Sequence, residues 1–158
     1  RLCLNRCMIW FAMAAWQADT AAALSQVCAW AGDAQRVAVE NLEGYAPEFV
    51  TPVVARTEAG RCVDVGHLWL DGIDPLPHLA AAMDRLAVVH LHGVIGAQAS
   101  APARDHVSLA HVAPAQLDAV LRCLLDLRFG GVLTLEVFGE EDFWSSLAAL
   151  QAALGRVV

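Results

Sequence analysis

Short apolar runs alternate with helix-like stretches through most of this chain, and that alternation limits the fold more than any other feature. Four strand-then-helix units can be read. Residues 37–40 form a strand, followed by a helix around 47–58. Residues 62–65 form the next, followed by a helix around 75–85 that opens on Asp74-Pro75, an N-cap and a first-turn proline. Residues 86–91 form a third strand, with a long loop to about 113, and Pro114 opens a helix through Asp126. Residues 132–138 form the fourth, after the turn Gly130-Gly131. Glu140-Glu141-Asp142 then open a last helix to about residue 154, acidic where the helix dipole favours negative charge. One long Ala-rich helix, about 8–31, precedes them all. Continuous apolar strands separated by helices are those of an α/β fold, a parallel sheet covered by helices.

Each of these strands finishes on ionisable residues. VAVENLEGYAP, residues 37–47, places Glu40 directly after Val37-Ala38-Val39. A carboxylate there is costly unless paired, hydrogen-bonded or bound to a metal. CVDVGHLW puts Asp64 at the second strand end and His67 just past it. VVHLHG gives His90 and His92, two apart and so expected on one face. LTLEVF gives Glu136, and the long loop adds ARDHVSL, with Arg104, Asp105 and His106. Each residue alone has a plain explanation: a loop-facing Glu, an Asp capping the turn at Gly66, satisfied core histidines, a Glu paired with an arginine. Four strand ends alike weigh against coincidence. The C-terminal edge of the strands is where α/β sheets and barrels build their sites. Glu40 therefore reads as one of several converging ligands. A mixed His/Asp/Glu set without a thiolate pair suits zinc or manganese, with iron or cobalt also compatible.

Composition narrows the partners. The 158 residues make one domain of ordinary size, and with 58% apolar residues and a mean hydropathy of +0.49 much of it must be buried. The net charge of −7 argues against a broad nucleic-acid surface, though not against a small phosphorylated ligand held by metal. The longest apolar run, residues 7–16, is too short to span a bilayer. Arg1, Arg6 and that run imitate a signal peptide, but the pattern continues as an amphipathic helix through Ala31. The five cysteines are scattered with no C-x-x-C pair, so neither a disulfide framework nor a zinc ribbon is suggested and a reducing cytoplasm is the default expectation. The tryptophans are expected mostly in the core.

At VENL, DVGH, HLHG, DH and LEVF the chain resembles the xylose isomerase-like superfamily of TIM barrels, over residues 30–155. That superfamily includes sugar-phosphate isomerases and epimerases and the endonuclease IV type of abasic-site nuclease. The combination VENLEGY, D-x-GHL, HLHG, DH-x-SL and LTLEVF most resembles the cobamide-remodelling phosphodiesterases, which cleave the nucleotide loop of B12-type cofactors. The resemblance implies that Glu40 is shared by two metals, that Asp64 and His67 form a ligand pair, and that His90 and Glu136 complete the set. It also implies that His106, with Asp105, matches the Asp/His pair of a third metal. The nuclease has one residue between that Asp and His; this chain has none, so the count of ions is one to three. A full barrel has about 250 residues and eight strands. The expectation is therefore the C-terminal half of a (β/α)8 barrel, a partial domain over residues 1–158, inactive alone and prone to associate through its open edges.

The expected activity is metal-dependent phosphodiester hydrolysis, with a small phosphorylated substrate such as a cobamide. Glu40 and Glu136 would bridge two ions that activate water. His92 or His106 would orient phosphate or supply a proton. The alternative is a single-metal sugar isomerase or epimerase, with Glu40 and Glu136 on either side of a sugar carbon as acid and base. A third possibility is a non-catalytic half-barrel binding domain. No membrane partner is expected.

Overall fold

The computed structural model describes residues 2–46 and 49–158, with side chains from residue 12 onward. The chain starts with α1 (Leu2–Ala31), then β1 (Ala38–Glu40), α2 (Thr51–Val54), β2 (Gly60–Asp64), α3 (Val65–Leu70) and α4 (Pro75–Ala82). It continues with β3 (Leu86–Leu91), β4 (Gly93–Ile95), β5 (Arg104–Val107), α5 (Pro114–Asp126), β6 (Val132–Leu135) and α6 (Glu140–Val157). β1, β2, β3 and β6 form one parallel sheet in that order, and β4 and β5 form a separate antiparallel pair. This is the α/β arrangement expected of half a TIM barrel, four parallel strands each leading into helix.

One face of the sheet is buried under helices. Val63, Val89, Leu91 and Leu135 meet Leu79 of α4, Leu117, Val120, Leu121 and Leu124 of α5 and Ala153 of α6. These are every-other positions on the strands, so their neighbours Cys62, Asp64, Val88, His90 and Thr134 take the opposite face. Parallel register sets Asp64 beside His90 and His90 beside Thr134. The fold thereby delivers the strand-end ionisable residues to one edge.

Several boundaries differ from the expectation, each for a local reason. β2 stops at Asp64, not at residue 65, because the Asp64 carboxylate accepts the His67 N–H at 2.7 Å and caps α3. The helix expected around 47–58 is reduced to the four residues of α2, with its expected start at 47–48 outside the described residues. β6 ends at Leu135, although the Glu136 N–H still bonds Leu91 O at 3.0 Å. The expected long loop holds the β4–β5 hairpin, which needs Gly93: a Cβ there would lie 1.9 Å from Ser108 O. The amphipathic character expected of α1 is weak. Among its described side chains only Ala21 and Cys28 are buried, and it rests on Phe49 through Trp16. Trp16, Trp30 and Trp144 are exposed rather than core. No described helix is long and apolar enough to cross a membrane.

Among the described residues β1 pairs only with β2, and β6 only with β3. Both outer strands keep an unpaired edge, and on β6 Val132 is 59% exposed. Such edges recruit further strands. The 158-residue chain expressed by itself is therefore expected to self-associate. Size-exclusion chromatography with light scattering checks this, and a monodisperse monomer contradicts it.

Candidate metal centre

Four residues converge at the C-terminal edge of the sheet. Glu40 is the last residue of β1, Asp64 the last of β2, His90 lies near the end of β3, and Glu136 follows β6. One donor atom from each lies within 4.8 Å of all the others. Nδ1 of His90 is 2.9 Å from Glu40 Oε1, 2.7 Å from Glu136 Oε2 and 3.7 Å from Asp64 Oδ2. A ring nitrogen carries one proton and can satisfy one of these three oxygens. It bonds Glu40. The short approach of Glu136 Oε2 lies off the line of a hydrogen bond, so that atom, like Asp64 Oδ2, is buried without a partner. Orphaned carboxylate oxygens packed this closely are costly. A divalent cation satisfies them all, and three carboxylates with one imidazole suit manganese, zinc, iron or cobalt.

The electrostatics fit the same picture. Burial pushes the Glu40 carboxyl above its ordinary pKa, and Asp64 and Glu136 push it the same way, against the pull of His90. For Asp64 burial also pushes upward, but His92 and the His67 N–H outweigh it and hold the carboxyl below its ordinary value. Cys62, paired across from Glu40, has its thiol pKa raised by burial and then by the carboxylates. It stands beside Glu40 and His90 as a protonated thiol.

Asp64 is held from behind. Its Oδ1 accepts the His67 N–H and lies 3.1 Å from Nε2 of His92. Both Asp64 and His92 are fully buried. Nδ1 of His92 accepts the His106 backbone N–H at 3.1 Å and lies 3.2 Å from Gly93 O, while Nε2 faces Asp64. β3 ends at Leu91 and His92 sits at the step into β4, yet the rings of His90 and His92 both face Asp64, at 3.7 and 3.1 Å. That position suits a residue that orients Asp64, not one that touches substrate. Gly66 packs against its ring so closely that a Cβ would lie 2.1 Å from His92 Cε1.

His67, Asp105 and His106 flank the four-donor centre. Nδ1 of His67 lies 3.2 Å from Asn41 O, and Nδ1 of His106 lies 3.1 Å from Asp105 Oδ2. Nε2 of His106 is 3.7 Å from Glu136 Oε1. The His106 ring stacks between His92 and Phe138, at centroid distances of 4.2 and 4.8 Å, on a backbone with φ +49°. That left-handed value is strained for a non-glycine residue and is held by the packing. His106 pulls the Asp105 carboxyl below its ordinary pKa, against a burial effect that raises it. Asp64, His67, His92 and His106 also have donor atoms within 4.8 Å of one another, as do Glu43, His67 and Asp105. In the first of these sets Asp64 Oδ1 and His92 Nδ1 already accept backbone N–H bonds, while Nε2 of His92 is buried without a hydrogen-bond partner. The set with two unpartnered buried carboxylate oxygens is Glu40, Asp64, His90 and Glu136. The sequence missed Asn41, a buried residue whose side chain bonds the Asp64 backbone.

The Gly66 contact gives a test. Gly66→Ala is expected to destabilise the protein by about 1–3 kcal/mol, as overpacking does. In urea melts His92→Ala should remove most of that penalty in the double variant, because the methyl then has space. Full additivity of the two changes would contradict the contact.

No protein-family model matches the sequence, and neither does any curated protein. Among solved structures the chain is similar to 3-keto-D-glucoside 4-epimerase, YcjR, from E. coli in its apo form. The TM-score is 0.55 at 16% identity, over 84% of this chain and 50% of that one. The chain thus spans about half the length of that structure, and what the two share is the α/β fold of a half barrel.

Proposed function

We propose that the chain carries the metal centre and the acid–base pair of a sugar isomerase or epimerase. The observation that carries this reading is the crowding of three carboxylate oxygens around one nitrogen of His90. Glu40, Asp64, His90 and Glu136 would hold one divalent cation. When bound, the cation stabilises negative charge developing on a sugar oxygen. Two of the four ligands open to solvent: Glu40 and Glu136 are each 32% exposed, while Asp64 is sealed. These two stand at the outer strands β1 and β6 and so flank the centre. One removes the proton from a carbon next to a carbonyl, and the other returns a proton to the opposite face, which inverts that carbon. The similarity to a 3-keto-D-glucoside 4-epimerase supports this substrate class over phosphodiesters. Phosphodiester hydrolysis of the cobamide type needs further ions sharing Glu40.

Proton exchange separates the two readings. Joined to a complementary half barrel, the purified protein with Mn2+ in D2O should place deuterium on the carbon beside the carbonyl of a ketose or 3-keto-glucoside, followed by NMR. Hydrolysis of bis-p-nitrophenyl phosphate with no such exchange would return the hydrolase reading. Chelator should abolish exchange and added Mn2+ should restore it. Glu40→Gln and Glu136→Gln are each expected to lower the rate by about a hundredfold, the scale of a lost acid–base group, with the melting temperature little changed. A variant that melts early but keeps its rate would show that its residue is structural.

A further inference from the structure

We infer that Asn41 is the positioning residue that fixes the carboxylates of the metal centre, an inference that rests on the metal reading above. Asn41 directly follows Glu40, at the point where β1 has ended, and is 4% exposed. Its side-chain amide continues the ladder that the backbone no longer supplies. Nδ2 donates to Asp64 O at 3.1 Å, and Oδ1 accepts the Asp64 N–H at 2.8 Å. Both bonds go to one residue, so the amide grips Asp64 as a neighbouring peptide unit would. The Asn41 carbonyl then accepts from Nδ1 of His67 at 3.2 Å, which leaves Nε2 of that ring with its lone pair. One residue therefore touches three members of the site: Glu40 through the chain, Asp64 through its backbone, and His67 through its ring.

Other residue types lack the pair of groups this grip needs. An aliphatic side chain leaves the Asp64 N–H and C=O buried and unpaired. A hydroxyl is too short to reach both. Freed from the grip, the end of β2 can shift, and Asp64 Oδ2 moves relative to Nδ1 of His90. Metal sites lose affinity when ligands are misplaced by fractions of an ångström, and groups behind the ligands govern that placement.

Asn41→Ala tests this, with Asn41→Ser as a milder change should the first not fold. The control is Leu79→Ala, a fully buried residue in α4 that packs in the helix layer away from the ligands. Mn2+ and Co2+ affinities are measured by calorimetry, with the Co2+ absorption spectrum and the melting temperature beside them. Asn41→Ala and Asn41→Ser should weaken both ions by about ten- to a hundredfold, the range for groups behind a ligand, and change the Co2+ spectrum. Leu79→Ala should melt earlier yet keep its affinities within about twofold, since it removes packing from the face of the sheet opposite the carboxylates. Unchanged affinity in both Asn41 variants overturns the inference, and so does an equal loss in Leu79→Ala, which would make the effect one of general stability. If the unsubstituted protein binds neither ion, the metal centre itself is wrong and this inference falls with it.

Discussion

A carboxylate that is fully buried must be answered on both oxygens, and Asp64 is the point where this chain has to do so. One oxygen is answered by the protein, through the His67 N–H and the neighbouring His92. The other, Oδ2, has no protein partner and faces the nitrogen of His90 from 3.7 Å. That asymmetry organises the surroundings. The bond to His67 starts α3, so the strand cannot run on. The contact with His92 requires a glycine at position 66, and His92 in turn is set by the backbone of the β5 strand. A hydrogen bond to a charged group contributes about 1.5–3 kcal/mol. Such bonds on one oxygen hold the other in place, facing His90.

The convergence of these four residues was legible in the sequence because their placement follows from topology. In a parallel sheet whose strands run the same way, whatever stands at each strand's end stands at one edge. Glu40, Asp64, His90 and Glu136 needed only strand assignments to be brought together. The strand at 86–91 was readable to the residue because it is a continuous apolar run. The α5 helix was readable because Pro114 marks its start and its apolar positions recur at helical spacing. The sequence did not reveal the β4–β5 hairpin, since Arg104-Asp105-His106 carries none of the apolar alternation of a half-buried strand. Pairing of that kind is decided at long range.

His92 and Asn41 differ in how far the sequence announces them. His92 stands two residues from His90, and both rings reach Asp64 although β3 ends between them. Asn41 gives no signal because its partner is backbone, 23 positions away. A carboxylate or imidazole announces chemistry by its type. An amide that bonds a peptide unit does not, and only the fold identifies it.

The arrangement also explains why one ion is the economical reading of a site with so many acceptors. Each histidine around the centre is tied by a different means: His90 by carboxylates, His92 by Asp64 and a backbone N–H, His67 by a carbonyl, His106 by Asp105. A cation competes best where protein partners are too few. Among the flanking residues Asp64 Oδ1 and His92 Nδ1 already accept backbone N–H bonds. At Glu40, Asp64, His90 and Glu136 it displaces almost nothing, because Asp64 Oδ2 and Glu136 Oε2 have no bonds to lose. The two glutamates remain open to the solvent side, so the residues that would hold the ion are also the ones a substrate would meet. Acid–base chemistry on a carbon needs two proton carriers around a fixed charge, and that is the geometry that burial leaves available here.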